Sequence, residues 1–423
     1  MLLRTSLSVS LLVVSLVSCR PGLETGSSSG GASWPAEPQL LDAPPAASSL
    51  LPHLASTPDG AILSWVATEA GSARLDFAEY SNGSWSAVRT AASGPDWFLS
   101  WADVPSVMRL SNGTLVAQWL RSTEPLFEAY DLELSFSTDE GRSWATPFTP
   151  HHDGTTTQHG FGSLFETTGG GLGLIWLDGR AAELDVDDPD GGAMSVRYAA
   201  YDQAWQQVAD TVIDERVCEC CPTDVALSAA GPLAVFRDRS PSEVRDIAVA
   251  RLVDDTWSEP AIVHDDGWQI PACPVNGPAI SARGAQVVVT WFTVAEERGQ
   301  AWAAFSDDGG NTWGIPMRLD GGSALGRVAV QMVDDGAAVA AWVEFVNGRA
   351  ELRLRRIAAD GTSGPAIPVA GTGARLATSI PRLLRLNDAA LLLAWTESGA
   401  SEDSAEDPTS QVRVARIPLG TAP

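Results

Sequence analysis

The chain has no lysine. All 27 basic residues among its 423 are arginine, set against 53 acidic ones. That absence removes Schiff-base catalysis and the phosphate-loop lysine from the chemistry open to it. A formal net charge of −26 argues against a nucleic-acid partner, because a phosphate backbone calls for a basic footprint. Histidine (5), tyrosine (4) and cysteine (5) are sparse, so where they gather is informative. Long helical periodicity is missing beyond the first residues, and past them no apolar run is long enough for a membrane helix. What remains, 44% apolar and 19% charged, suits a globular protein with a large core.

Within that composition one pattern recurs. Seven short apolar strands end in an aromatic residue: Trp65, Trp119, Trp176, Phe236, Trp291, Trp342 and Trp395, at intervals of 51 to 60 residues. Turn pairs such as Asp59-Gly60, Asn112-Gly113 and Asp335-Gly336 precede several of them. A fixed period of this size means one supersecondary unit repeated. Each repeat reads as four strands; the fifth has Pro278–Ile280, Val287–Phe292, Gln300–Ser306 and a segment from Trp313 to Leu319. Evenly spaced short strands suggest radial sheets. The expected fold is therefore all-β, a seven-bladed β-propeller, with six blades as the alternative. A Trp followed shortly by Pro marks fourth strands at Trp144–Pro147, Trp257–Pro260 and Trp313–Pro316, and stands alone at Trp34–Pro38. The last repeat, Ser379–Ile417, lacks such a strand. An N-terminal strand completing the last blade would close the ring and leave no broken edge.

The N-terminus reads as an address. Arg4 precedes an apolar stretch, Leu7–Val17, too short to span a bilayer. It ends in Leu16-Val17-Ser18-Cys19, which resembles the lipobox of bacterial lipoproteins. The resemblance implies a signal peptide over 1–18, acylation of Cys19, a Gly/Ser tether over 19–33 and a propeller over 34–420. It places an exported, monomeric protein in the bacterial cell envelope, held to the outer membrane or cell surface by its lipid.

Two turns carry a sharper pattern, Ser137-Thr-Asp139-Glu-Gly141-Arg-Ser-Trp144 and Ser306-Asp-Asp308-Gly-Gly310-Asn-Thr-Trp313. The Asp can accept turn amides, the Gly permits a positive φ and the Trp packs between sheets, a structural role. Both match the Asp-box, or BNR repeat, so residues 34–420 resemble the sialidase superfamily of propellers. That resemblance implies a sugar-facing site at the channel mouth. The reaction residues of true sialidases do not map here. The segment expected to open the propeller with arginine is Leu50-Leu51-Pro52, Arg416-Ile417-Pro418 sits on the last strand, and the last tyrosine is Tyr201.

Strand direction puts inter-blade connections and second-to-third turns on one rim, and the unusual residues fall there. They are Trp101-Ala-Asp103, His151-His152-Asp153 through His159, Asp178-Gly179-Arg180, Arg237-Asp238-Arg239, Glu344, Glu397, Cys218-Glu-Cys220-Cys221 and Cys273. Loops on one rim can converge on the central channel. Asp103, Asp178 and Asp238 are candidate acid/base groups, and His152 and His159, with Asp153 beside them, candidate proton shuttles. Arg180 and Arg237 are candidate clamps for a carboxylate or sulfate. The structural alternative for these arginines is mutual salt bridging.

Cys218, Cys220, Cys221 and Cys273 are an even number in an exported chain, so two disulfides are the default reading, with three connectivities open. A soft copper or zinc site at the same residues is the alternative. Together these readings describe a propeller lipoprotein expected to bind an anionic glycan, with hydrolysis or a lyase-like cleavage as the reaction it would carry out if it is an enzyme. The other classes are a metal-binding propeller and a protein-interaction scaffold.

Overall fold

Seven antiparallel sheets follow one another along the chain, each built in sequence order from the channel outward except the last, whose outermost strand comes from the N-terminal side. The computed structural model describes residues 37–69, 71–124, 129–182, 192–334, 336–369, 380–387, 390–397 and 410–419. The expected signal peptide and tether, with Cys19, and Trp34 lie outside them. The inner strands are Ser49–Thr57, Ser106–Arg109, His159–Glu166, Asp224–Ser228, Ala279–Arg283, Ala324–Asp334 and Arg382–Leu386. They pack beside one another around the axis. The protein is a seven-bladed β-propeller.

The second strands explain why the repeat was visible. Leu172–Asp178 is buried at every position, and its alternate residues face opposite neighbours. Leu172, Leu174 and Trp176 join the core between blades two and three, while Ile175 and Leu177 join the core between blades three and four. A strand covered on both faces is apolar throughout. The same holds round the ring, where seven apolar clusters occupy the seven junctions between blades. Every landing aromatic faces the preceding blade, from Trp119 against blade one to Trp395 against blade six. Trp65 faces blade seven, so the junction that closes the ring is built like the others.

Closure is also ordered by backbone hydrogen bonds. Gln39–Leu40 pairs with Gln411–Pro418 as the outermost strand of blade seven, in register Gln39↔Arg416 and Leu40↔Ala415. The ladder starts just past Pro38, because proline has no N–H to give it. Outer strands vary more. Among the described residues blade two has isolated bridges, Leu134↔Phe148 and Tyr130↔Gln158, in place of a fourth strand, whereas blade three has the eleven-residue strand Gln207–Val217.

The two Ser-x-Asp-x-Gly-x-x-Trp turns fold alike. Gly141 and Gly310 each donate to the serine hydroxyl at 2.9 Å. Asp139 accepts from the amides of Arg142 and Ser143, and Asp308 from those of Asn311 and Thr312. Amide and hydroxyl donors, Ser143 foremost, hold the Asp139 carboxyl down at about 2. Each turn seats its blade on the one before: Trp144 meets Phe77 edge-on at 6.1 Å, and Trp313 packs into the core between blades four and five. These carboxylates shape turns.

Candidate functional site: the axial channel and its rim

The inner strands enclose two cavities of about 130 and 330 Å³ along the axis. Both are walled by His53, Leu54, Pro222, Thr223, Asp224 and Arg382. Thr223 ties blades three and four together by donating to the Phe161 carbonyl at 2.9 Å and bonding the Ser163 hydroxyl. Asp103 enters the larger cavity from the connection between blades one and two. It is 1% exposed; its Oδ2 accepts from the Phe161 amide at 2.7 Å and its Oδ1 has no hydrogen-bond partner. Burial pushes its carboxyl up to about 7 against the pull of that amide.

Opposite charges share the same wall. Asp224 accepts from Val225 and Ile280, each at 2.9 Å. Burial raises its carboxyl, and burial lowers the Arg382 guanidinium while the Asp224 charge pulls it back up. The Arg382 Nε is buried without a hydrogen-bond partner. His53, held down at about 3 by burial and then by Arg382, is a neutral imidazole at physiological pH.

A second group gathers on the rim. His159 opens the inner strand of blade three opposite Asp178, and its ring stacks on that of His151 at 3.8 Å and 5°. Asp153 lies 3.3 Å from His159 Nε2 and 3.6 Å from His151 Nδ1. Asp131 Oδ1 stands 3.7 Å from both rings at their other edge. Burial, then the His159 charge, lowers the His151 imidazole to about 4. The structure thus brings together His159, Asp153, Asp178 and Arg180 from that set of rim loops, adds His151 and leaves His152 exposed on the loop.

Several expected roles change once partners are counted. Asp178 is fully buried and occupied: Trp176 Nε1 donates to it at 2.9 Å, Arg180 Nε at 2.7 Å and Arg180 Nη2 at 2.8 Å. Burial raises its carboxyl, yet Arg180 and His159 outweigh that and leave it below its ordinary range. It fixes an indole and a guanidinium instead of meeting substrate, and Glu344 repeats the arrangement with Trp342 Nε1 at 3.0 Å. Arg180 is committed to Asp178 and Asp153. Arg237 is 1% exposed and donates to the carbonyls of Asn276, Arg245 and Phe292. It latches blades four and five and has no face left for an anion. Asp238, half-buried, is raised to about 6 by burial and then by Asp214; it lines neither axial cavity.

Cys220 and Cys273 form a disulfide with Cα atoms 6.1 Å apart. It joins the loop before blade four to the loop before blade five, and it takes two of the four residues considered for a soft metal. Cys218 and Cys221 are buried free thiols 3.2 Å apart. The Cys221 hydrogen bond, with Arg237 and Arg245 nearby, pulls the Cys218 thiol down to about 6, while burial pushes Cys221 up.

His53, Asp224, Arg382, His151 and Asp131 were not singled out from the sequence as site residues, except that His151 lies in the quoted loop. A signal for the channel group exists in Pro52-His53, Pro222-Thr-Asp224 and Pro381-Arg382. In each, a proline stands just before a titratable residue of an inner strand: Pro222 and Pro381 ahead of the strand, Pro52 at the break in register inside it. Asp131 carries no such mark, since it sits in an ordinary alternating strand.

No family model matches the chain, and no curated protein matches its sequence. Solved structures do match in shape. A protein of unknown function from Dyadobacter fermentans aligns with TM-score 0.51 and 14% identity over 91% of this chain and 99% of its own. The polysaccharide lyase Uly1 aligns with TM-score 0.51 and 10% identity over 87% and 90%. NanB sialidase from Streptococcus pneumoniae aligns with TM-score 0.46 and 10% identity over 90% and 94%. At 14% and 10% identity, the likeness to the first two structures describes the fold alone.

Proposed function

We propose that the axial channel binds an anionic glycan and that Asp103 is the general acid for its cleavage. One observation carries this reading: a carboxyl with a free oxygen, raised to about 7, faces a cavity of about 330 Å³ whose wall also holds Arg382. A group poised near operating pH and lining a cleft suits proton transfer to a leaving oxygen. The unpartnered Arg382 Nε supplies a donor for a sugar carboxylate or sulfate. The polysaccharide-lyase name of one neighbour of the same fold agrees with a glycan in this position. Export and a lipid anchor on Cys19 belong to the same proposal, since extracellular polymers are met outside the cell.

Calorimetry with uronate-bearing, sulfated and neutral oligosaccharides, followed by an assay of new chain ends, tests it. Binding of a charged oligosaccharide that Arg382→Ala abolishes, with cleavage lost but binding kept in Asp103→Asn, is the expected result. Failure of every charged oligosaccharide to bind the folded protein overturns it.

A further inference from the structure

We infer that His151, His159 and Asp131 form a two-histidine, one-carboxylate site for a divalent transition-metal ion, with Asp153 as the carboxylate behind the rings. The inference stands apart from the proposed channel chemistry. It begins with distances. Asp131 Oδ1 is 3.7 Å from His151 Nε2 and 3.7 Å from His159 Nδ1, too long for hydrogen bonds. A bridging water would need more room, since two bonds of about 2.8 Å at a tetrahedral angle span roughly 4.6 Å. Two bonds of about 2.1 Å to one ion span roughly 3.4–4.2 Å, and the observed separations fall in that interval.

Burial and partners point the same way. His159 is 0% exposed and His151 7%, and both nitrogens facing Asp131 lack any hydrogen-bond partner. Asp131 anchors its other oxygen to Arg121 at 2.9 Å, which turns Oδ1 inward. At the far edge, Asp153 holds Oδ1 on the Thr155 amide at 2.9 Å and presents Oδ2 to both rings at 3.3 and 3.6 Å, without a hydrogen bond to either until the rings move. A metal-bound imidazole usually gives its second N–H to a carboxylate, which fixes the tautomer. Arg180, 3.3 Å from Asp153 Oδ2, disfavours a cation at that edge, so the ion belongs at the Asp131 edge. The rings are parallel, and binding tilts them about Cβ–Cγ until their lone pairs converge.

The donor set is two imidazole nitrogens and one carboxylate oxygen, without thiolate. That suits a borderline ion such as Zn²⁺, with an open fourth position. The strand that His159 begins also carries Phe161, whose amide holds Asp103, so the ion would stiffen the base of the channel wall.

The test uses the full chain, stripped with chelator, then titrated with Zn²⁺ by calorimetry and with Co²⁺ by visible spectroscopy. Expected are one ion per chain, cobalt d–d bands without thiolate charge transfer, and an unchanged result in Cys218→Ser. His151→Ala and Asp131→Asn, each checked for fold by circular dichroism, should weaken binding at least about 100-fold, and Asp153→Asn about 10–100-fold. No binding by the folded wild type overturns the inference. So does binding that survives both ligand substitutions, or a thiolate charge-transfer band that Cys218→Ser removes. Should either ligand variant misfold, the cobalt spectrum of the wild type decides.

Discussion

The guanidinium of Arg327, on the inner strand of blade six, lies 3.9 Å from the centroid of the Trp101 ring. Trp101 comes from the connection between blades one and two, so the pair joins parts of the ring that share no blade junction. A break in register between Gly326 and Ala329, with Arg327 itself at φ 57°, aims the side chain there. Asn276 Oδ1 accepts from both the Arg327 amide and Nη1 and fixes it. Replacing Trp101 by Ala should cost about 1–3 kcal/mol, from a desolvated cation–π contact and lost apolar burial. Trp101→Phe should recover most of that loss. Urea midpoints for the two variants decide it; equal midpoints to wild type would mean the contact is idle.

Asp103 gives the fold a pH dependence of definite sign. Its folded pKa, about 7, is raised above an unfolded value of about 3.9. The stabilisation that goes with its protonated form is complete below the unfolded value and is lost as pH climbs through 7. Wild type should therefore lose stability between about pH 4 and pH 7 relative to Asp103→Asn and level off above that, and any glycan cleavage should decline above pH 7. Parallel pH profiles of the two proteins would refute a raised Asp103.

The turn glycines should show steric limits that differ by position. A Cβ on Gly310 would lie 2.5 Å from Leu233 Cδ2 of blade four, at φ +81°. Gly113, at φ +90°, would meet nothing within 4 Å. Gly310→Ala should thus cost about 2–3 kcal/mol, strain plus overpacking, and Gly113→Ala about 1 kcal/mol, strain alone. Thermal denaturation of the pair measures the difference, and a reversed order would remove the blade-seating role.

Arg237→Met keeps the bulk of the side chain but strands the carbonyls of Asn276, Arg245 and Phe292. The expected cost is on the order of 3 kcal/mol or more. A variant that loses ligand binding at unchanged stability would restore Arg237 to the anion-clamp role that its burial denies.

Alkylation of the protein, denatured without reductant, should label Cys218 and Cys221 and spare Cys220 and Cys273. Intact mass and peptide mapping read the outcome. No label on Cys218 or Cys221 would mean that this pair, 3.2 Å apart, is oxidised as a second disulfide.

How far the sequence reached depends on how local each feature is. The seven landing aromatics disclosed the blades because each second strand is covered on both faces, and that requirement repeats with the fold. Ring closure was legible from a strand missing at one end and spare at the other. The turn motifs were legible because serine, aspartate and glycine act within eight residues. The rim gathering was foreseen only as a set of loops. Which members would meet was not, as His152 for His151 shows: neighbours in sequence, one faces solvent and the other stacks on His159.

The amino-acid sequence alone determined a seven-fold repeat of antiparallel sheets, its closure and its turn chemistry, because periodic burial and local hydrogen bonding are written residue by residue. Tertiary structure alone decided which charged groups are spent on structure and which face the channel. Asp178 and Arg237 look as reactive in sequence as Asp103, but the partners that satisfy the first two, and the single amide that leaves one oxygen of the third free, come from strands brought together only by the closed ring.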